Sequence, residues 1–242
     1  MRRLLRIATL GAIALAAAFA AYLALLAFPY PLFGYETTYQ NISVYSDRQI
    51  SVALSSVLSI AEDRLRKSPL NDPAMHHRVF ICNDNWRFAL FTNIDRHVGG
   101  LNHTWLNHNI FLRGANIDDN RLIGPRGNEV PGERTLAYYF AHEITHSLEV
   151  PYLGRYAYIM LPQWKKEGYA DYIGKDGDFN FRAQLADFQH DAPEMDPHGS
   201  GLYRRYNLLV SYVMDIKGVS AQTMLTEPFD QAALERELRA MK

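Results

Sequence analysis

The sequence predicts an α+β chain led by an apolar helix. Three observations predict it. Strand-like stretches occupy the chain between residues 41 and 113, and helix-period stretches dominate beyond it, an order that pairs a sheet with a later helical lobe. An uncharged run covers residues 7–28. The pattern His142-Glu143-Ile144-Thr145-His146 stands where strands give way to helices.

The apolar run comes first. Its 22 residues, as a helix, extend about 33 Å against the roughly 30 Å of a bilayer core. Arg2, Arg3 and Arg6 precede it, which keeps the N-terminus cytoplasmic and sends the remainder across the membrane. Tyr22, Phe28, Tyr30 and Phe33 suit the outer interface. A cleavable signal peptide is the rival, with Ala18-Phe19-Ala20 as the cleavage site and a secreted product. Cleavage there leaves an apolar tail, so a retained single-pass anchor over residues 1–28 is the expectation. Residues 29–36 then read as a juxtamembrane link and residues 37–242 as an extracytoplasmic domain.

Asn41-Ile-Ser-Val-Tyr alternates like a strand. Asp47 suits a helix N-cap, followed by Ile50, Leu54, Val57, Leu58, Ala61 and Leu65 at helical spacing. Residues 79–82 read as a strand, 86–93 as a short helix and 105–113 as a further strand. That strand is expected at the sheet edge, with Asn107, His108 and Asn109 at a cleft. A loop over 114–132 leads to a helix over 133–149. Helices near 162–173, 202–217, 220–226 and 229–241 follow, with a loop over 174–201.

Residues four apart on a helix share a face, so His142 and His146 can reach one metal ion, with Glu143 beside them to work on a water. Pro162 suits a helix start and Gly174 a helix end. Between them Glu167 and Asp171 share a face. A catalytic zinc site wants three protein ligands and an open position. Glu167 supplies the third ligand, and Asp171 can accept a hydrogen bond from the outer N–H of a ligand histidine. His97, His103 and His108 lack ligand spacing; His198 is a weaker candidate for an oxyanion donor.

Together, H-E-I-T-H (142–146) and W-K-K-E-G-Y-A-D-Y (164–172) resemble the gluzincin metallopeptidases, the thermolysin-like and M1 aminopeptidase-like clan. The metzincin continuation is missing after His146. The resemblance implies a zincin-like fold, a small mixed sheet packed on the motif helix and followed by a helical C-terminal lobe. It implies one Zn²⁺ per chain on His142, His146 and Glu167, Glu143 as general base and Asp171 as the supporting carboxylate. The stretch 203–218 is similar to a helix whose leading tyrosine donates to the oxyanion. Tyr203 holds that position, and Tyr206, in place of the usual small residue, is the alternative.

The expected function is hydrolysis of peptide bonds, with a peptide or protein substrate. A silent zinc-stabilised module that binds a peptide or partner, and a zinc hydrolase of a non-peptide bond, are the alternatives. The single Cys82 permits no internal disulfide and reads as a buried small hydrophobe. Setting aside Arg2, Arg3 and Arg6 leaves 22 of the 25 basic residues against 26 acidic ones, a balance of −4. No basic block stands in this part, so nucleic acid is not an expected partner.

Overall fold

The computed structural model describes residues 2–92, 98–104 and 106–241. Asn93, His97 and Trp105, which the sequence reading used, lie outside them. Helix α1 (Arg2–Ala27) contains the apolar span Leu5–Ala27, whose mean hydropathy of 2.3 and 23 residues are enough to cross a membrane. Strands β1 (Tyr35–Tyr39) and β2 (Ile42–Ser46) form a hairpin. Helix α2 (Leu54–Leu65), β3 (His77–Cys82), α3 (Asn85–Phe91), β4 (Gly100–Asn102) and β5 (Asn109–Arg113) complete the first half. A small ribbon, β6 (Ala115–Asn116) and β7 (Arg121–Leu122), precedes the long helix α4 (Leu136–Leu153). Then come α5 (Arg155–Met160), α6 (Gln163–Lys175), α7 (Phe181–Gln189), α8 (Pro197–Ser200), α9 (Arg204–Ser211), α10 (Ala221–Thr226) and α11 (Gln231–Ala240). A π turn over Tyr212–Ile216 continues α9.

The main sheet has the order β1-β2-β3-β5-β4. The outer pairs are antiparallel; β2, β3 and β5 run parallel. Period-two alternation divides its two faces. Ile42, Val44, Val79, Ile81, Ile110 and Leu112 point into a core shared with α2, α4, α6 and α9. Phe80, Cys82 and Phe111 point the other way, against Phe88, Phe91, Phe33 and Leu26. Cys82 is buried, as expected, and burial raises its thiol.

Several sequence expectations are corrected. Asp47 does not cap α2, which begins at Leu54 after a turn. Its carboxylate instead accepts from the backbone N and amide of Asn83, at 3.1 and 2.6 Å, and from Arg87. The strand containing Asn109 is not the edge, because β4 pairs outside it. Asn107 and Asn109 do not line a cleft. Their amides donate to the Leu26 carbonyl at 3.2 and 3.0 Å, and Asn109 also to Ala27 at 3.2 Å. They satisfy carbonyls that a helix end leaves without partners. Within residues 29–36, Tyr30, Leu32 and Phe33 pack into the aromatic cluster, and β1 starts at Tyr35. The expected loops over 114–132 and 174–201 hold the β6–β7 ribbon and the helices α7 and α8.

Candidate metal centre

Thr135 starts α4, its hydroxyl accepting from the Tyr138 backbone N at 3.1 Å. Every residue from Leu136 to Val150 is buried, so the motif's polar side chains sit in the interior. There they must find partners in one another. α6 crosses α4 and brings Glu167 to the same point. Gly168 makes room for this: a Cβ there would stand 2.6 Å from the Tyr206 carbonyl of α9. Gly174 does not end its helix, which runs to Lys175. It clears space for the Tyr138 ring, 2.9 Å from where its Cβ would be.

Three ligand atoms converge. Nε2 of His142 and Nε2 of His146 are 3.3 Å apart, and Oε2 of Glu167 lies 3.5 and 3.6 Å from them. Donors about 2.0–2.1 Å from a tetrahedral zinc ion stand roughly 3.4 Å from each other. The triangle therefore has the size the ion requires, and its donors are the imidazole and carboxylate types that zinc takes. The carboxyl of Glu167 is held well below its usual range; burial opposes this, and the two imidazoles outweigh it. Burial disfavours a charged His146, yet Glu167 and Glu149 raise its pKa well above normal. A cation is favoured at this point.

The outer nitrogens are held differently. Nδ1 of His146 lies 3.0 Å from Oε2 of Glu149, which is fully buried. Nδ1 of His142 lies 3.2 Å from the Tyr138 hydroxyl, and that hydroxyl donates to Oδ1 of Asp171 at 2.6 Å. Both arrangements leave Nε2 as the inward atom. Asp171 therefore does not accept directly from a histidine, as the sequence suggested; it reaches His142 only through the Tyr138 hydroxyl. Its Oδ2 accepts from Asn207 at 3.1 Å and pairs with Lys175 at 2.8 Å. Lys175 pairs in turn with Glu133 at 2.9 Å. Burial alone would raise the Asp171 carboxyl; the Lys175 ammonium holds it below its usual range.

Glu143 sits beside the triangle and lines a cleft of about 730 Å³. Gly100 of β4 admits it: a Cβ there would lie 2.6 Å from Oε1 of Glu143. Burial raises its carboxyl pKa, the Glu167 charge adds to the rise, and the imidazoles oppose it. Tyr203 lines the same cleft, its ring stacked on His142 with centroids 5.8 Å apart. Tyr206 is buried behind it, 6.1 Å from the Tyr203 ring, and does not border the cleft. His198 is exposed on α8 and stands outside it.

Sequence reasoning missed Tyr138, Glu149 and Lys175. The signal for Glu149 was its place three residues after His146, a lone acid between Leu148 and Val150. The signal for Lys175 was its spacing of four from Asp171. Nothing in the sequence separates Tyr138 from the chain's other tyrosines. No protein-family model matches this chain, and no curated protein matches it.

Proposed function

We propose that the chain is a membrane-anchored zinc hydrolase of peptide bonds, with a gluzincin-type site on a zincin-like fold. The observation that carries this reading is the His142–His146–Glu167 triangle with a free carboxylate, Glu143, beside it in an open cleft. A purely structural site has no use for that carboxylate.

The residues divide the chemistry as follows. His142, His146 and Glu167 would hold Zn²⁺, which would supply Lewis acidity toward a water and a carbonyl. Glu143 accepts the proton of the attacking water and passes it to the leaving amine. Tyr203 donates to the oxyanion, a contribution of about 3 kcal/mol. Glu149 and the Tyr138–Asp171 pair keep both imidazoles in the tautomer that presents Nε2 inward. β4 borders the cleft as an edge strand, and its outer backbone groups can pair with an extended peptide. This favours a peptide over other amides and esters. With Arg2, Arg3 and Arg6 in the cytoplasm, the site faces the extracytoplasmic side.

The test uses the full chain in detergent micelles. Metal analysis is expected to find one zinc per chain, and a peptide-library digest to show cleavage. Glu143→Gln is expected to keep the zinc and lose hydrolysis by roughly a thousandfold or more. Wild-type-like cleavage by that variant, or a folded chain that takes no zinc, removes the reading.

A further inference from the structure

The cleft repeats one arrangement on both sides of the metal triangle. On one side the Arg134 guanidinium lies 5.9 Å from the centroid of the Tyr203 ring, which stacks on His142. On the other the Lys166 ammonium lies 4.9 Å from the centroid of the Tyr158 ring, whose edge meets His146 at 6.3 Å. The two cations differ in their surroundings. Lys166 is a half-exposed point charge that solvent can screen.

Arg134 is half-buried against the Tyr203 ring, and apart from a hydrogen bond with the Tyr139 side chain its donors are poorly matched. Nη2 donates to the Gly201 carbonyl at 2.5 Å, and Nε is buried without a partner. Among the described residues no carboxylate lies within ion-pair distance of it. The nearby acids are committed elsewhere: Glu133 pairs with Lys175 and Arg204, and Asp171 with Lys175. Two carboxylates thus face three cations, and Arg134 is the one left over. A half-buried guanidinium without a counter-ion is costly. Its planar fork fits a carboxylate better than any neutral group.

We infer that Arg134 reads a carboxylate on the substrate, so that the cleft selects peptides carrying a negative charge on the Tyr203 side of the scissile bond. That carboxylate is an acidic side chain or the peptide's own C-terminus; the chemistry is shared and the test separates the sources. The inference rests on the hydrolase reading only in taking this cleft as the substrate's.

The experiment measures binding, not turnover. Zinc-loaded full chain carrying Glu143→Gln is titrated calorimetrically with two matched pairs of peptides. One pair is acetyl-Ala-Ala-Asp-Ala-Ala-amide and its Asn counterpart. The other is acetyl-Ala-Ala-Ala-Ala with a free C-terminus and its amide. One charged peptide is expected to bind roughly tenfold to a hundredfold more tightly than its neutral partner, the range for hydrogen bonds to a charged group. Arg134→Met is expected to erase that difference, and Arg134→Lys, which keeps the charge without the fork, to retain part of it. Equal binding within both pairs, no measurable binding of any peptide, or a preference that survives both substitutions overturns the inference. Selective binding by a chain whose Glu143 form cleaves nothing would keep this inference and remove the hydrolase reading. Cleavage without charge preference would do the reverse.

Discussion

Toward α4 the sheet presents aliphatic side chains, Ile42, Val44, Val79, Ile81, Ile110 and Leu112; away from it, the rings of Tyr45, Phe80 and Phe111. The aliphatic face lets α4 bed closely, which buries its polar residues and turns them toward one another and toward α6. The aromatic face stacks: Phe91 on Phe111 with centroids 4.4 Å apart, Phe111 on Phe80 at 5.3 Å, Phe80 on Tyr45 at 4.8 Å. It receives the last turn of α1, whose Leu26 is 1% exposed. One face carries the His142–His146–Glu167 cluster and the other the apolar helix α1, with a single layer of strands between them. Damage on one side is therefore expected to leave the other intact.

The largest break falls on the aromatic side. Phe111→Ala is expected to cost about 3–5 kcal/mol of stability, read by denaturant unfolding, while zinc affinity per folded chain stays unchanged. A large loss of zinc affinity would show that the two faces are coupled. Next is acid. His77 opens β3 on the aliphatic face and is 1% exposed, with its pKa lowered to about 4. Burial is the main cause, aided by His76 and His108, and Asp72 opposes it. The unfolded chain takes up that proton near pH 6.5 and the folded chain refuses it until about pH 4. Stability is thus fully present above pH 6.5, and about 3 kcal/mol is lost as the pH falls through this window. His77→Gln should flatten that slope in melts at stepped pH.

Smaller effects separate the metal side. Tyr138→Phe and Glu149→Gln are each expected to weaken zinc binding 10–100-fold by competition with a chelator, with little change in the metal-free melt. Asn109→Ala, which uncaps α1, is expected to cost about 1 kcal/mol in the melt and nothing in zinc affinity. If it lowers zinc affinity, the partition between faces fails at its weakest point.

Much of this was legible in the sequence. The motif helix, the helix that brings Glu167 and the apolar lead are strongly patterned, because periodicity reports on the face that packs. β4 was not legible: three residues, two of them half-buried, leave no alternation to read. Helix α7 was legible but hidden. Asn180 caps it by accepting from Ala183 N at 3.1 Å, and Leu185 and Phe188 keep helical spacing, yet the flanking Asp and Gly residues read as loop. At the site, the meeting of His142, His146 and Glu167 followed from spacing along helices. The supports did not all do so, because Tyr138 meets Asp171 across two helices, and spacing along one element cannot place such a contact.

The capped end of α1 has a mechanical consequence. A flexible stalk would let a domain roam a hemisphere above its anchor, with an effective concentration set by stalk length. Here Asn107, Asn109 and Tyr22, whose hydroxyl donates to the Leu90 carbonyl at 2.8 Å, fix the helix as an axle. With the span in a bilayer, the cleft keeps one height and one tilt. On the proposed hydrolase reading, whether a bond is cut would then depend on how far it stands from the lipid as well as on its flanking residues.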